Sequence, residues 1–165
     1  MHRLSLFALC LALSACGDES FFAQISGGTG PNQCSNATQT RATITGVELS
    51  EADAFNGMAR PFTALNDGDT LQVVRGFQGA DMIVISLRVT GLAMPACIAQ
   101  RTEVLDASNS RVSINGQSIQ FDPDAGVATN ERMFFPGNYV SNSMITIRST
   151  VANVTVSRTV RVVRP

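Results

Sequence analysis

Apolar and polar residues alternate with a period of two along most of this chain. Ile83, Ile85, Leu87 and Val89 take turns with Val84, Ser86, Arg88 and Thr90, the pattern of a strand with one face on a core and the other toward water. Leu71 and Val73 alternate with Thr70 and Gln72 just before it, and Gly76-Phe77-Gln78-Gly79 in between offers two residues that tolerate positive φ. An antiparallel hairpin is expected there, with 83–90 as a central strand. Thr40 to Leu49 reads as an earlier strand in which Ile44 is out of phase with Val47 and Leu49, so a bulge near Gly46 is needed to turn all three inward. Ser50-Glu51-Ala52-Asp53 has the residues to cap a short helical turn, which Gly57 and Pro61 would end.

Beyond the central stretch, Gly91 to Ala96 reads as a turn and Ile98 to Leu105 as another strand. Asn115-Gly116, set between Arg111-Val112-Ser113-Ile114 and Gln117-Ser118-Ile119-Gln120-Phe121, is the preferred pair for a two-residue type I′ hairpin. Such a turn would gather Val112, Ile114, Ile119 and Phe121 on one face and Arg111, Ser113, Ser118 and Gln120 on the other. Asp122 to Gly126 reads as a turn, and a loop is expected to continue through Met133-Phe134-Phe135-Pro136-Gly137. Met144 to Val151 sets Ile145 and Ile147 against Thr146 and Arg148, and Val154 to Val163 returns with Val154, Val156, Val160 and Val162 after the tight link Ala152-Asn153. About eight short β-branched strands with Gly and Asn turns predict an all-β fold, a two-sheet antiparallel sandwich of the immunoglobulin-like type, with a small closed barrel as the alternative.

At 165 residues the chain suits one domain, and its ends differ in character. Met1 to Cys16 carries His2 and Arg3, then an apolar run from Leu4 to Leu13, then small residues before a cysteine. That is the layout of a secretion signal, too short for a permanent span of about 20 residues. Gly17 to Asn36 is polar and Gly-rich apart from Phe21 and Phe22, which suits a tether. The expected division is therefore a cleaved leader over 1–15, a tether over 16–36 and the sandwich over 37–165.

Leu13-Ser14-Ala15-Cys16 resembles the lipobox of bacterial lipoproteins. The resemblance implies cleavage before Cys16, a diacylglyceryl group on its thiol and acylation of its amine; two or three acyl chains together give a stable anchor. Gly17, where an Asp would favour inner-membrane retention, implies the outer membrane, on the periplasmic face or the cell surface. Asp67-Gly68, Leu71, Val73, Gly76-Phe77-Gln78-Gly79 and the strand ending Leu87-Arg88-Val89-Thr90-Gly91-Leu92 resemble a pattern in uncharacterised, lipid-anchored immunoglobulin-like proteins of Gram-negative bacteria. Where those proteins often carry an aromatic residue or His after the G-x-Q-G, this chain has Asp81-Met82. The pattern implies location and fold, and no activity.

Chemistry is sparse. The one His is His2, and it leaves with the leader, so the expected mature chain has no imidazole for a nucleophile's base or a zinc ligand. The net charge of −1 carries no footprint for nucleic acid. Asp67 and Asp69 flank Gly68, and Asp122 and Asp124 flank Pro123, so either pair offers oxygens to Ca²⁺, although D-G and D-P-D are also ordinary turn sequences. With no Trp and one Tyr the chain lacks the stacking platform of most sugar-binding modules; Tyr139, after Gly137, fits a corner before a late strand. Met133, Phe134 and Phe135 are either an exposed partner contact or a loop that plugs one end. Of four cysteines, Cys10 is discarded and Cys16 is the lipid site, which leaves Cys34 and Cys97 to pair in an oxidising compartment or to remain separate thiols. No cofactor is expected. The reading that results is a non-enzymatic, membrane-anchored envelope module that contacts another protein; the alternative is a carboxylate-based or calcium-dependent hydrolase or ligand-binding protein.

Overall fold

Alternation is realised most fully near the carboxyl terminus, where β8 (Ser143–Val151) and β9 (Val154–Val163) form a hairpin paired from Ser143–Val162 to Val151–Val154. Its inward row holds Ile145, Ile147, Val151, Val156, Val160 and Val162, all buried, and each such side chain contributes about 1.5–3 kcal/mol on leaving water. The outward row is rich in threonine, and Thr146 pairs with Thr159 at 3.0 Å and Thr150 with Thr155 at 2.9 Å. Ala152 takes φ 51° to close the link, as the sequence predicts for a two-residue connection.

The computed structural model describes residue 34 and residues 42–52, 61–76, 79–123, 129–134 and 141–164, with the backbone path alone over 129–134. The remaining strands are β1 (Gly46–Glu51), β2 (Thr70–Gln72), β3 (Val74–Arg75), β4 (Asp81–Thr90), β5 (Ala96–Leu105), β6 (Arg111–Phe121) and β7 (Thr129–Phe134). One sheet runs β2-β9-β8-β5-β6; in the other, β1 and β3 share one edge of β4 and β7 takes the opposite edge. Setting aside the short β2 and β3, this partition of strands between two packed sheets is that of an immunoglobulin-like sandwich, with β6 as the added strand beside β5. Leu49, Ile83, Ile85 and Leu87 from one sheet and Ile98, Ile119, Phe121 and Ile147 from the other belong to one core.

Several expectations are corrected. Pairing is not wholly antiparallel, because β2 runs parallel to β9. The hairpin expected between 70–73 and 83–90 is confined to Val74–Arg75, which pairs with Met82 and Asp81. Leu71 and Val73 are buried between the sheets, but alternation does not say which sheet supplies their backbone partners, and Val73 donates to Val163 of β9. Ser50 and Glu51 stay in β1, and Asp53 and Gly57, the rest of the helical turn expected there, lie outside the described residues. The irregularity needed near Gly46 is met by a bend at Thr45, with Ile44, Val47 and Leu49 all buried.

Asn115-Gly116 is not a turn. Both residues lie inside the eleven-residue β6, opposite Thr102 and Arg101 of β5, and neither has the positive φ that a type I′ turn requires. The turn falls instead at Asp106–Ser110, where the Asp106 carboxylate accepts from the Ser108 and Ser110 amides at 2.8 and 2.9 Å and Asn109 takes φ 67°. A local hairpin would satisfy a few cross-strand pairs and leave β5 with an open edge; the long pairing satisfies ten-residue β5 along its length. As a result Ile119 and Phe121 face the core while Ile114 lies on the outward side beside Glu103. Val112 still packs against the core, next to a register shift at Val104/Leu105.

Candidate functional site

Cys34 and Cys97 come to disulfide distance, with Cα atoms 6.1 Å apart. Cys97 is on the side of β5 that faces away from the core, and the Cys34 amide donates to Ser118 O of the neighbouring β6 at 3.1 Å. Cys97 and Ser118 are each only 4% exposed, so the incoming chain is fastened to the outward face of the five-stranded sheet.

The acidic candidates separate by role. Asp67 Oδ1 accepts from the Thr159 amide at 2.7 Å, and Asp69 Oδ2 accepts from the Asn66 amide at 2.7 Å. Gly68, at φ 89°, donates to Thr159 O, while Arg161 N donates to Asp69 O. These contacts clamp the 66–69 turn onto β9 and give one oxygen of each carboxylate a turn-holding role. Among the described residues no three His, Cys, Asp or Glu side chains group as a metal site. Asp122 is exposed at the end of β6. Asp124, Phe135, Tyr139 and Cys16 lie outside the described residues, as do Phe21 and Phe22. Met133 and Phe134, expected in a loop, belong to β7, paired with Ile83 and Met82 of β4. Free backbone groups on that edge of β4 had to be paired, and Thr129–Phe134, polar over its first four residues and without alternation, did not advertise the strand that pairs them.

A charged cluster went unnoticed in the sequence. On the outward face of β6-β5-β8, Glu103 receives Arg101 at 2.9 Å, Arg111 at 3.4 Å and Arg148 at 4.0 Å. The glutamate is 18% exposed, whereas each arginine is nearly half exposed. Burial by itself would raise the Glu103 carboxyl; hydrogen bonds and positive charge from Arg101 and Arg111 outweigh it and hold the group below its ordinary range. Arg101 and Glu103 share a face by alternation, but Arg111 and Arg148 join them only through cross-strand register, which single-strand periodicity does not contain. A Cβ on Gly116, opposite Arg101, would meet only Gln100 O, at 3.7 Å. Among the described residues, three guanidinium groups stand around one carboxylate, an excess of positive over negative charge on this face.

At the Asp106 turn, the Ser108 hydroxyl and the Ser110 amide hold the carboxyl below its ordinary range. This is a turn-stabilising arrangement. Comparison with known proteins adds no assignment: no protein-family model matches the chain, and no curated protein matches it.

Proposed function

We propose that this chain is an envelope lipoprotein, held by acyl chains on Cys16 in the outer membrane, whose immunoglobulin-like domain is a non-enzymatic module that contacts another envelope or surface protein. The observation that carries the reading is the Cys34–Cys97 pair at disulfide distance, which suits a chain exported by its leader into an oxidising compartment. A binding role is supported by the surplus positive charge of Arg101, Arg111 and Arg148 on an exposed sheet face. Engagement of Asp67 and Asp69 in the β9 clamp weighs against the carboxylate- or calcium-based alternative.

Intact-mass measurement of the native protein is expected to show acylated Cys16 as the first residue, and Cys16→Ala to block lipid-dependent processing. Crosslinking in the native cell is expected to capture an envelope protein, with the double variant Arg101→Glu, Arg148→Glu reducing its recovery. An unmodified chain in the periplasm that starts at another residue overturns the anchor. Partner recovery unchanged by the double variant overturns the arginine surface.

A further inference from the structure

We infer that the link between β4 and β5, Gly91-Leu92-Ala93-Met94-Pro95, is a membrane-docking tip that seats one end of the sandwich on the lipid surface. The inference rests on the reading that Cys16 is lipid-anchored, and adds to it a second contact and an orientation. The tip carries no charge, and Ala93, Met94 and Pro95 are all exposed. Met94, at 67%, is the large apolar side chain left open to solvent among the described residues.

The tip projects. β5 begins at Ala96 and runs past the β8–β9 link, where the Ala152 amide donates to Ala99 O, so Ala96–Ala99 is paired only with β6 in that sheet. It is also held firmly. Leu92 packs against the core, and Gly91 takes φ 85° so close to Thr45 that a Cβ would fall 2.6 Å from the Thr45 hydroxyl oxygen. A preset apolar projection loses little conformational freedom on docking.

The surroundings fit a bilayer interface. Thr43, Thr45, Thr90 and Asn153 at this end are uncharged, and Asp122, the one ionisable neighbour at the strand ends among the described residues, has a partner of its own. At the opposite end stand Glu51, Arg75, Asp81, Asp106, Arg111 and Arg164, several already paired, as in the Arg164–Asp81 bridge. Among the described residues, placing that end on lipid would desolvate more charges than placing the tip there, where Asp122 and, two residues in from Gly46 and Thr90, the Glu48–Arg88 pair are the charged groups.

Connectivity points the same way. Cys97 follows Pro95 by two residues, so the junction with Cys34 lies about 7 Å along β5 from the tip. The chain from Cys16 to Cys34 reaches at most about 60 Å, which keeps the tip close to the membrane and makes docking an intramolecular event at an effective concentration of roughly millimolar. A weak contact then suffices. With no Lys or Arg in the tip, the contact is driven by apolar burial and is insensitive to salt.

The test uses the full native chain, which has no Trp, reconstituted into phosphatidylethanolamine–phosphatidylglycerol vesicles. Met94→Trp places an indole at the tip, and Ala107→Trp places one in the exposed Asp106–Ser110 turn at the far end. Flotation with the vesicles reads the anchor; quenching by brominated lipid reads the tip. The expected result is flotation of both variants, quenching of the Met94→Trp indole at low and high salt alike, and no quenching of the Ala107→Trp indole. Met94→Asp beside an Ala93→Trp reporter is expected to lower the docked-to-undocked ratio about tenfold, the factor that burying one large apolar side chain supplies. Flotation without quenching at Met94→Trp, quenching at both ends, or quenching lost at high salt overturns the docking tip and leaves the anchor standing. Absence of flotation overturns the anchor and the tip with it.

Discussion

β4 and β5 are consecutive ten-residue strands, each with partner strands on both edges over part of its length, yet they are buried differently. Ile83, Ile85 and Leu87 of β4 face the core at 0% exposure, and Met82, Val84 and Ser86 on the other face are buried too. On β5, buried Gln100, Thr102 and Val104 alternate with outward Arg101 and Glu103. Aliphatic burial is large but non-directional, so over Met82–Ile85 a one-residue slip of β4 exchanges one buried apolar row for another, and only Ser86 and the part-exposed Arg88 further along oppose it. The same slip in β5 would carry Arg101 and Glu103 into the interior. β4 thus supplies much of the stabilising burial, whereas β5 fixes which residue pairs with which, through the Thr102–Ser149 hydroxyl contact at 2.7 Å, the arginine cluster and the Cys34–Cys97 pair.

The largest expected effect tests the covalent hold on β5. Replacing both Cys34 and Cys97 by Ser reopens a 63-residue separation and should cost about 4 kcal/mol in the chain-entropy model, read as a lower urea midpoint than that of the oxidised parent. Two reactive thiols in the unreduced, unfolded parent would show that no bridge exists. Next is β4: Ile85→Ala should cost about 2–5 kcal/mol through transfer and cavity terms, and an effect below about 1 kcal/mol would refute its place at the centre of the core.

Gln100 gives a smaller effect of opposite sign. Its Oε1 accepts from the Thr102 hydroxyl, but Nε2 is buried without a partner among the described residues. Gln100→Met should therefore raise stability by about 1 kcal/mol, since an unmatched donor leaves the interior; a comparable loss would reveal that the amide holds a bridging water. The smallest change is a pH dependence at Glu103. Its carboxyl is held below the ordinary 4.5, so the stabilisation is complete above that value and disappears as pH falls through the lower folded one. Glu103→Gln should lose about a few tenths of a kcal/mol at pH 7, the scale of half-exposed ion pairs, and match the parent in strong acid. A difference that persists in strong acid would exclude the ionised carboxylate as its source.

Legibility followed physical cause. Strands with one wet face, such as β8 and β9, could be read residue by residue, because water enforces the alternation. β7 could not, because its existence depends on an unpaired edge of β4 and not on its own periodicity. Asn115-Gly116 shows the converse failure: a strong local turn preference yielded to pairing along the whole of β5. The Cys34–Cys97 pairing was accessible by counting, while the group around Glu103 needed the register of three strands.

The Cys34–Cys97 link also decides how the domain bears force. A pull transmitted along the amino-terminal segment reaches Cys34 and passes straight through sulfur into the Ala96–Ala99 part of β5, which pairs with β6. The load path thereby bypasses β1 to β4, the strands that would otherwise be peeled away first from the amino-terminal side. While the bridge is closed, tension on the tether loads the β5–β6 ladder of the larger sheet; once it is reduced, the same tension falls on backbone hydrogen bonds, first Cys34 N to Ser118 O and then Thr45 N to Thr90 O at the entry to β1.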